Sequence, residues 1–279
     1  MKLIPEQQLR EILQEVDGTY GLYVSVPDCG EKLEIHSHQV FNSASTIKIP
    51  ILALLLKDFE EGRLDPDHKE PLSDGNRVGG SGILKVMSPG VELSLYDHAM
   101  LMMIVSDNSA TNHVIDAVGM DRANAFFEEH GWTDTHLVCK LYWPHPILPD
   151  GTKDFDKTSA ADLGHMMEMI MAGELVSKAA SDTMMQIMAC QQVGKFDKSL
   201  PVLRHTDPAL PLPPVPEGKV IVCNKGGTLI GRVLHDAAIM LLPNGRRAVV
   251  TLMTGTPDNN KTLEIFKRVS KALYDSLMQ

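Results

Sequence analysis

The longest apolar run of the chain predicts its central helix. Residues 47–56 are apolar, interrupted only by Lys48 and Pro50. A helix that is apolar on every side is normally buried on every side. Ser45 precedes the run and is a favourable residue for a helix start. Gly62 follows it, where a left-handed C-terminal residue is expected. We therefore predict a buried helix around which the rest of the chain folds.

Alternating, β-rich stretches lie near both ends of the chain. At the N-terminal end they cover residues 20–26 and 32–36, and the turn between them predicts a hairpin. At the C-terminal end they cover residues 219–224, 233–242 and 247–254. The sequence Pro-Asn-Gly-Arg between the last two is a strong tight-turn signal. We expect strands only at these two ends, paired into one antiparallel sheet.

Helical patterns flank the predicted strands and fill the middle of the chain. Amphipathic patterns at residues 5–16 and 258–277 predict terminal helices. The remaining helical patterns cover residues 94–105, 109–119, 121–130, a stretch that begins at 158, and 177–190.

This order of elements predicts an α/β (α+β) fold with an antiparallel sheet flanked by terminal helices, beside an all-helical lobe. We expect residues 1–40 and 218–279 to form the sheet subdomain and residues 41–217 the helical one. The functional site is then expected between the two subdomains. Residues 132–157 look irregular, and a long loop inside a compact domain is usually functional.

Composition narrows the classes of function. The 279 residues are 43% hydrophobic and 22% charged, as in soluble globular proteins. The net charge of −10 argues against nucleic acid or an anionic membrane as a main partner. The N-terminus is amphipathic and carries acidic residues, unlike a secretion signal. We expect a cytoplasmic protein, or a secreted one if a signal has been removed from this sequence.

Metal and disulfide chemistry receive little support. The cysteines at 29, 139, 190 and 223 form no C-x-x-C pair, so free and mostly buried thiols are expected. His36 and His38 are two apart on a predicted strand, which fits a metal pair but fits surface histidines better. We predict no metal and no cofactor, and a small molecule as the partner. The sequence does not predict the oligomeric state.

The start of the central helix carries two reactive side chains. Ser45 and Lys48 are three residues apart and therefore share a helical face. A lysine in an apolar stretch is costly to bury, and burial lowers its pKa. Such a lysine beside a serine hydroxyl describes a nucleophile and its base. Taken alone, the spacing fits better a capping serine beside a lysine that reaches solvent.

Three polar clusters interrupt otherwise apolar elements. They are S-T-I-K at residues 45–48, S-D-N at 106–108 and K-G-G-T at 225–228. Each is weak alone, but S-x-x-K, S-D-N and K-T-G in this order mark class A β-lactamases and penicillin-binding proteins. The chain resembles that superfamily over nearly its whole length, and most closely the class A β-lactamase-like serine hydrolases.

The resemblance implies a role for each motif residue. Ser45 would be the acylated nucleophile, and Lys48 would accept or relay its proton. Ser106 would pass a proton to the leaving nitrogen, and Lys225 would hold Ser106 and the substrate carboxylate. These groups supply the nucleophile and the proton path that acyl transfer needs.

The resemblance also implies the groups that bind the substrate. Asn108 would bind the amide carbonyl of the substrate, and the backbone N–H groups of Ser45 and Thr228 would form the oxyanion hole. Gly227, Thr228 and Arg232 complete the predicted substrate-binding set, with Arg232 expected on the next strand. Asp107 is expected to hold its loop rather than to react.

The chain departs from the family pattern at two places. Gly226 stands where the family has serine or threonine, so the hydroxyl that helps to bind a substrate carboxylate is missing. Thr228 or Arg232 would have to replace it. The long loop lacks the glutamate that activates the deacylating water, and Leu141 aligns at about that position. Nearby acid–base candidates at His145, Asp150 and Asp154 are weak.

The leading functional hypothesis is a serine hydrolase that forms an acyl-enzyme at Ser45 with a β-lactam or a related amide or ester, and deacylates β-lactams slowly. A D-Ala-D-Ala-type peptidase or a small esterase is the alternative enzyme. A non-catalytic penicillin-binding or sensor protein is the alternative from another class. The loop without glutamate favours the sensor, and the intact Ser-Lys and S-D-N motifs favour an enzyme.

Overall fold

A five-stranded antiparallel sheet forms the centre of the protein. The computed structural model describes residues 2–72, 77–142 and 146–279. The strands run in the order β2-β1-β9-β8-β7 across the sheet, so β7 is an edge strand. The strands of the described residues are β1 (Thr19–Val26), β2 (Glu31–Ile35), β3 (Val40–Asn42), β4 (Lys69–Pro71), β5 (Glu92–Ser94), β6 (Lys157–Ser159), β7 (Ile221–Leu229), β8 (Val233–Leu241) and β9 (Arg247–Gly255).

Helices cover both faces of this sheet. In the described residues they are α1 (Glu6–Leu13), α2 (Lys48–Glu60), α3 (Leu95–Ile104), α4 (Asn108–Val118), α5 (Met120–Glu129), α6 (Ala160–Ala172), α7 (Lys178–Ala189) and α8 (Asn259–Leu277). The terminal helices α1 and α8 pack together on one face, and α6 and α7 contact the other. The predicted fold class, an antiparallel sheet flanked by terminal helices beside a helical region, is confirmed.

The central strands are apolar on both sides because both faces of the sheet are covered. Along β9, Val250 and Leu252 belong to the core under the terminal helices. Val249 and Met253 belong to the core formed with the other helices. This alternation follows from the two-residue period of a strand. The sheet therefore joins two apolar cores into one support for the edge strand β7.

The predicted central helix is present, and it begins differently from the expectation. A 3₁₀ turn covers Ala44–Ile47, and the α-helix starts at Lys48. Its side chains are buried from Lys48 through Leu56, and Gly62 takes the left-handed conformation with φ 68° after its end. The helix packs against α4, α5 and α7. Its N-terminal end is thereby held beside β7, which contacts the 3₁₀ turn.

Two expectations about strands were wrong. The strand predicted to end at residue 224 continues as β7 to Leu229, because residues 225–229 keep their register with β8. Short strands also lie in the middle of the chain, where β3 pairs with β6 and β4 with β5. Three-residue strands carry little local pattern, so long-range contacts decide them. The division into residues 1–40 with 218–279 and residues 41–217 stays a prediction.

The cysteines are present as thiols, with Cys29 exposed and the other three buried. Over the described ranges, no helix combines the length and apolar character that crossing a membrane requires.

Candidate active site

The 3₁₀ turn presents Ser45 at the front of α2. Ala44, the residue before it, has a positive φ of 44°, and its N–H donates to Asn42 Oδ1 at 2.9 Å. In a 3₁₀ turn the side chains at i and i+3 lie directly above one another. The half-buried Ser45 and the fully buried Lys48 therefore point to the same side. The 3₁₀ turn is compatible with the predicted pairing of Ser45 and Lys48, which stays a prediction.

Lys48 joins the S-x-x-K and S-D-N motifs. Its Nζ lies 2.9 Å from the carbonyl oxygen of Ser106, 3.1 Å from Ser106 Oγ and 3.0 Å from Asn108 Oδ1. The side chain has no exposed surface. These three contacts all go to the loop between α3 and α4, and among the described residues no hydrogen bond joins Lys48 to Ser45.

Lys225 brings the third motif to the same hydroxyl. Its Nζ donates to Ser106 Oγ at 3.0 Å and to the carbonyl oxygen of Gly226 at 3.0 Å. Ser106 Oγ therefore lies between two buried lysine side chains, within 3.1 Å of each. The three motifs, which lie between residues 45 and 228 of the sequence, meet at this atom.

Burial shifts the pKa of both lysines downward. Desolvation lowers the pKa of Lys48 to about 7, although the charge of Asp107 opposes the shift. Desolvation and the neighbouring charge of Lys48, together with that of Lys195, hold the pKa of Lys225 well below its usual value. A lysine with a pKa near 7 is available as a neutral base at physiological pH.

The contacts of Lys48 fit both the ammonium and the neutral amine. A neutral amine has two N–H donors and one lone pair, whereas an ammonium has three donors and no lone pair. An ammonium can donate to the Ser106 carbonyl, Ser106 Oγ and Asn108 Oδ1, whereas a neutral amine can donate to two of these acceptors and accept from the Ser106 hydroxyl. Because Lys225 donates to Ser106 Oγ from the other side, the Ser106 proton is free to point at Lys48. In the neutral form of Lys48, a proton can therefore move between Lys48 and Ser106 Oγ.

The S-D-N loop is held in a conformation that few residues adopt. Ser106 has φ 58°, in the left-handed region. Asp107 caps α4 through the N–H of Ala110 and accepts the N–H groups of Ile83 and Leu84 at 2.6 and 2.8 Å. Asp107 thus has the loop-holding position expected for it.

Asn108 keeps one donor for a ligand. Its Oδ1 accepts from Lys48, and its Nδ2 donates to the carbonyl oxygen of Gly79 at 3.1 Å. An amide nitrogen carries two hydrogens, so the second is open for a substrate carbonyl.

The edge of β7 closes the site opposite the S-D-N loop. A side chain at Gly227 would place its Cβ 3.0 Å from the backbone nitrogen of Ser45, so the strand and the turn are in close contact there. Thr228, the next residue, is exposed at the end of the strand. Arg232 was expected on the next strand, but it lies in the turn before β8 and is exposed. A side chain at position 227 would therefore need the turn or the strand to shift slightly.

His235 supports the nucleophile turn, a position that the motif analysis did not assign. Its Nδ1 accepts the N–H of Thr254 at 3.2 Å, so the proton resides on Nε2, which donates to the carbonyl of Asn42 at 2.8 Å. Burial lowers the pKa of His235 to about 4, which keeps the ring neutral. The histidine follows K-G-G-T by seven residues, and no local signal links it to residue 42.

The long loop brings Leu141 next to α4. The side chain of Asn112 holds the Leu141 backbone at both groups, with its Nδ2 3.0 Å from the carbonyl oxygen and its Oδ1 2.8 Å from the nitrogen. Asn112 is one helical turn beyond Asn108 and shares its face. The Leu141 backbone therefore lies beside α4, one helical turn from Asn108, and the position of its side chain opposite the acyl group stays a prediction.

The other acid–base candidates of the loop serve its own turns. The exposed Asp150 accepts from the N–H and hydroxyl of Thr152. Asp154 pairs with Lys157 at 2.6 Å. His145 lies outside the described residues. Among the residues that the structure describes, no three His, Cys, Asp or Glu side chains are placed to hold a metal ion.

The chain matches the model of one protein family, described as the beta-lactamase enzyme family, over residues 4–277. Curated relatives include the beta-lactamases PSE-4 and CARB-3 of Pseudomonas aeruginosa, each 28% identical over 133 residues. That stretch is 47% of this chain and 46% of either relative, so the chain spans about half the length of the curated relatives it matches.

Solved structures extend the likeness to the whole fold. The structure of PBP-A is 30% identical with a TM-score of 0.80, and the match covers 98% of this chain and 97% of that one. A beta-lactamase from Sphaerobacter thermophilus has a TM-score of 0.82 over 98% and 97% of the two chains. Its 24% identity supports the fold alone.

The pKa of Lys48 predicts a pH dependence of reaction at Ser45. With a neutral activated ester such as p-nitrophenyl acetate, the acylation rate should rise with pH through about 7. Only the neutral amine accepts the Ser45 proton, so the rate is lost as Lys48 becomes protonated below that pH. Stopped-flow measurement of nitrophenol release checks this pH dependence. The measurements cover about pH 5–9, roughly two pH units on either side of the pKa of Lys48.

Substitution of Lys48 tests whether this residue causes the rise of the acylation rate with pH, which forms the acidic limb of the pH profile. Lys48→Ala should remove the limb and lower the rate by at least about 100-fold, a typical value for general-base assistance. Lys57→Ala, on the last turn of the same helix, is the matched control and should change neither. A Lys48→Ala rate within about tenfold of the parent, roughly 1.4 kcal/mol, contradicts the assignment.

Proposed function

The chain belongs to the beta-lactamase enzyme family, and on this premise we propose that it is a serine hydrolase that acylates Ser45 with a β-lactam or a related amide or ester. The observation that carries the proposal is the convergence of Lys48 and Lys225 on Ser106 Oγ, beside the turn that presents Ser45. This arrangement provides a nucleophile, a base of suitable pKa and a proton path in one buried cluster.

Acylation begins with proton transfer from Ser45 to neutral Lys48. The Ser45 oxygen forms a bond to the substrate carbonyl carbon, and the carbonyl oxygen becomes an oxyanion. The backbone N–H groups of Ser45 and Thr228 stabilise that charge. Ser106 then gives its proton to the leaving nitrogen as the C–N bond breaks, and it takes a replacement proton from Lys48. Charge and protons balance, and Lys48 returns to its neutral form.

Deacylation needs a second base, and Leu141 does not supply one. A water molecule that attacks the acyl ester from the loop side meets an apolar side chain next to α4. General-base assistance is typically worth about 10²–10⁴-fold, so the β-lactam adduct should persist. Small acyl groups leave more room for solvent, and we propose faster turnover of small esters.

A penicillin-binding protein that holds its adduct is the second candidate, and Leu141 is the observation that favours it. PBP-A, 28% identical in its mutant form, supports both candidates. That mutant, in which glutamate replaces a leucine, has been solved as an acyl-enzyme complex with penicillin G.

Intact-mass measurement after incubation with benzylpenicillin tests the proposal. We expect one adduct of the mass of the penicillin on the unmodified protein, persisting after free drug is removed, and none on Ser45→Ala. The alanine variant should stay folded, since it loses a helix-start residue at a cost of about 1 kcal/mol. Labelling that remains in Ser45→Ala, or no labelling of either protein, contradicts the proposal.

Leu141→Glu tests the account of deacylation. Glutamate should shorten the lifetime of the penicillin adduct by about 10²-fold or more. Leu141→Gln is the matched control, because it has a similar size and polarity without a basic carboxylate, and it should retain the adduct. Adduct decay is followed by intact mass against time. Rapid multiple turnover of penicillin by the unmodified protein, with no detectable adduct, would mean that another group has replaced the base.

A further inference from the structure

Lys195 is a third buried lysine near the site, and the sequence motifs do not include it. Only 7% of its surface is exposed. Its Nζ donates to the carbonyl of Val193 at 3.1 Å and forms no salt bridge in the part of the chain that the structure describes. An ammonium has three donors, so burial with one hydrogen bond leaves capacity for a further acceptor.

The ammonium of Lys195 occupies the space that Gly226 leaves empty. A Cβ built on Gly226 would lie 2.3 Å from Lys195 Nζ and 3.1 Å from its Cδ. Serine or threonine stands at this place in the family pattern and offers a hydroxyl. In this chain a cation from another segment fills the position instead, and only glycine leaves room for it.

The backbone around Lys195 is fixed by a buried carboxylate. Asp236 Oδ2 accepts the N–H of Lys195 at 2.6 Å, the N–H of Phe196 at 2.9 Å and the amide of Asn224 at 2.9 Å. Asp236 is the register partner of Gly226 on the neighbouring strand. The contact between Lys195 and the gap at Gly226 is therefore built into the sheet.

Lys195 lies among charges of both signs. Burial lowers the pKa of Lys195, and the nearby carboxylates Asp236 and Asp197 oppose that shift. The charge of Lys195 in turn contributes to the lowered pKa of Lys225, so the two lysines repel each other electrostatically when both are charged. A substrate carboxylate that binds Lys195 beside Gly226 would reduce this repulsion.

We infer that Lys195, reaching into the gap at Gly226, binds the carboxylate of the substrate. The inference rests on the proposed function and adds to it a residue that selects substrates with a carboxylate near the scissile bond. It also gives to Lys195 the part that the sequence assigned to Thr228 or Arg232. Neutral esters then react without this contact.

The test compares benzylpenicillin with its methyl ester, which differs only in the carboxylate. The second-order rate of labelling at Ser45 is measured by intact mass for both compounds. The unmodified protein should prefer the acid by about 10- to 100-fold, the value of a charge-assisted hydrogen bond. Lys195→Met should reduce this preference to about threefold or less on the same grounds.

Lys198→Met is the matched control. This lysine is exposed, lies three residues further on and carries the same charge, so its loss should leave the acid preference unchanged. Thermal unfolding of each variant is measured alongside, and the ratio of the two rates is insensitive to a shared loss of folded protein.

Gly226→Ala provides a second, independent arm. Its Cβ should displace the ammonium and remove the acid preference although Lys195 is present. In combination with Lys195→Ala it should cause no further loss of acid preference, because both substitutions remove the same contact.

The outcomes separate the inference from the proposed function. Equal losses for acid and ester in Lys195→Met, or a full acid preference in Gly226→Ala, overturn the role of Lys195 while leaving acylation of Ser45 intact. Failure of the unmodified protein to be labelled by either compound overturns the proposed function, and the inference with it.

Discussion

The structure depends on the burial of two lysine side chains beside one serine hydroxyl. A charged ammonium is costly to remove from water, and the protein responds by lowering the pKa rather than by supplying a carboxylate partner. Lys48 and Lys225 are both fully buried, and both donate to Ser106 or to backbone carbonyls. Exclusion of water makes the charged form of both lysines costly to bury, and it lowers the pKa of Lys48 so that this lysine can act as a base. The apolar surroundings of α2 and the sheet behind β7 therefore act directly on the chemistry.

Much of the surrounding structure holds those groups in place. Ser106 and Ala44 both have positive φ, a conformation that non-glycine residues maintain only when their surroundings enforce it. Asp107 enforces the first by capping α4 and bridging to residues 83 and 84. Neutral His235 helps to fix the second by binding the carbonyl of Asn42. Charge is excluded from His235, since its ring must accept from Thr254 on one side and donate on the other.

The sequence predicted the parts whose signals are local. The burial of α2 and the three motifs are each visible within a few residues, and the order of the motifs identified the family. The contribution of Lys195 has no such signal, because it depends on the space left by Gly226, 31 residues away. The same holds for His235, which acts on Asn42 at a separation of 193 residues. Such contacts exist only once the sheet is assembled, so pattern and spacing do not contain them.

The most direct test of the account is the titration of Lys48 itself. Lysine labelled with ¹³C at Cε reports the charge of each side chain by NMR, and a Lys48→Arg variant assigns the signal. The account predicts that Lys48 titrates at about 7 in the free protein. A Lys48 signal that stays charged up to its ordinary pKa of about 10.4 would contradict it, because the buried lysine would then have no lone pair with which to activate Ser45.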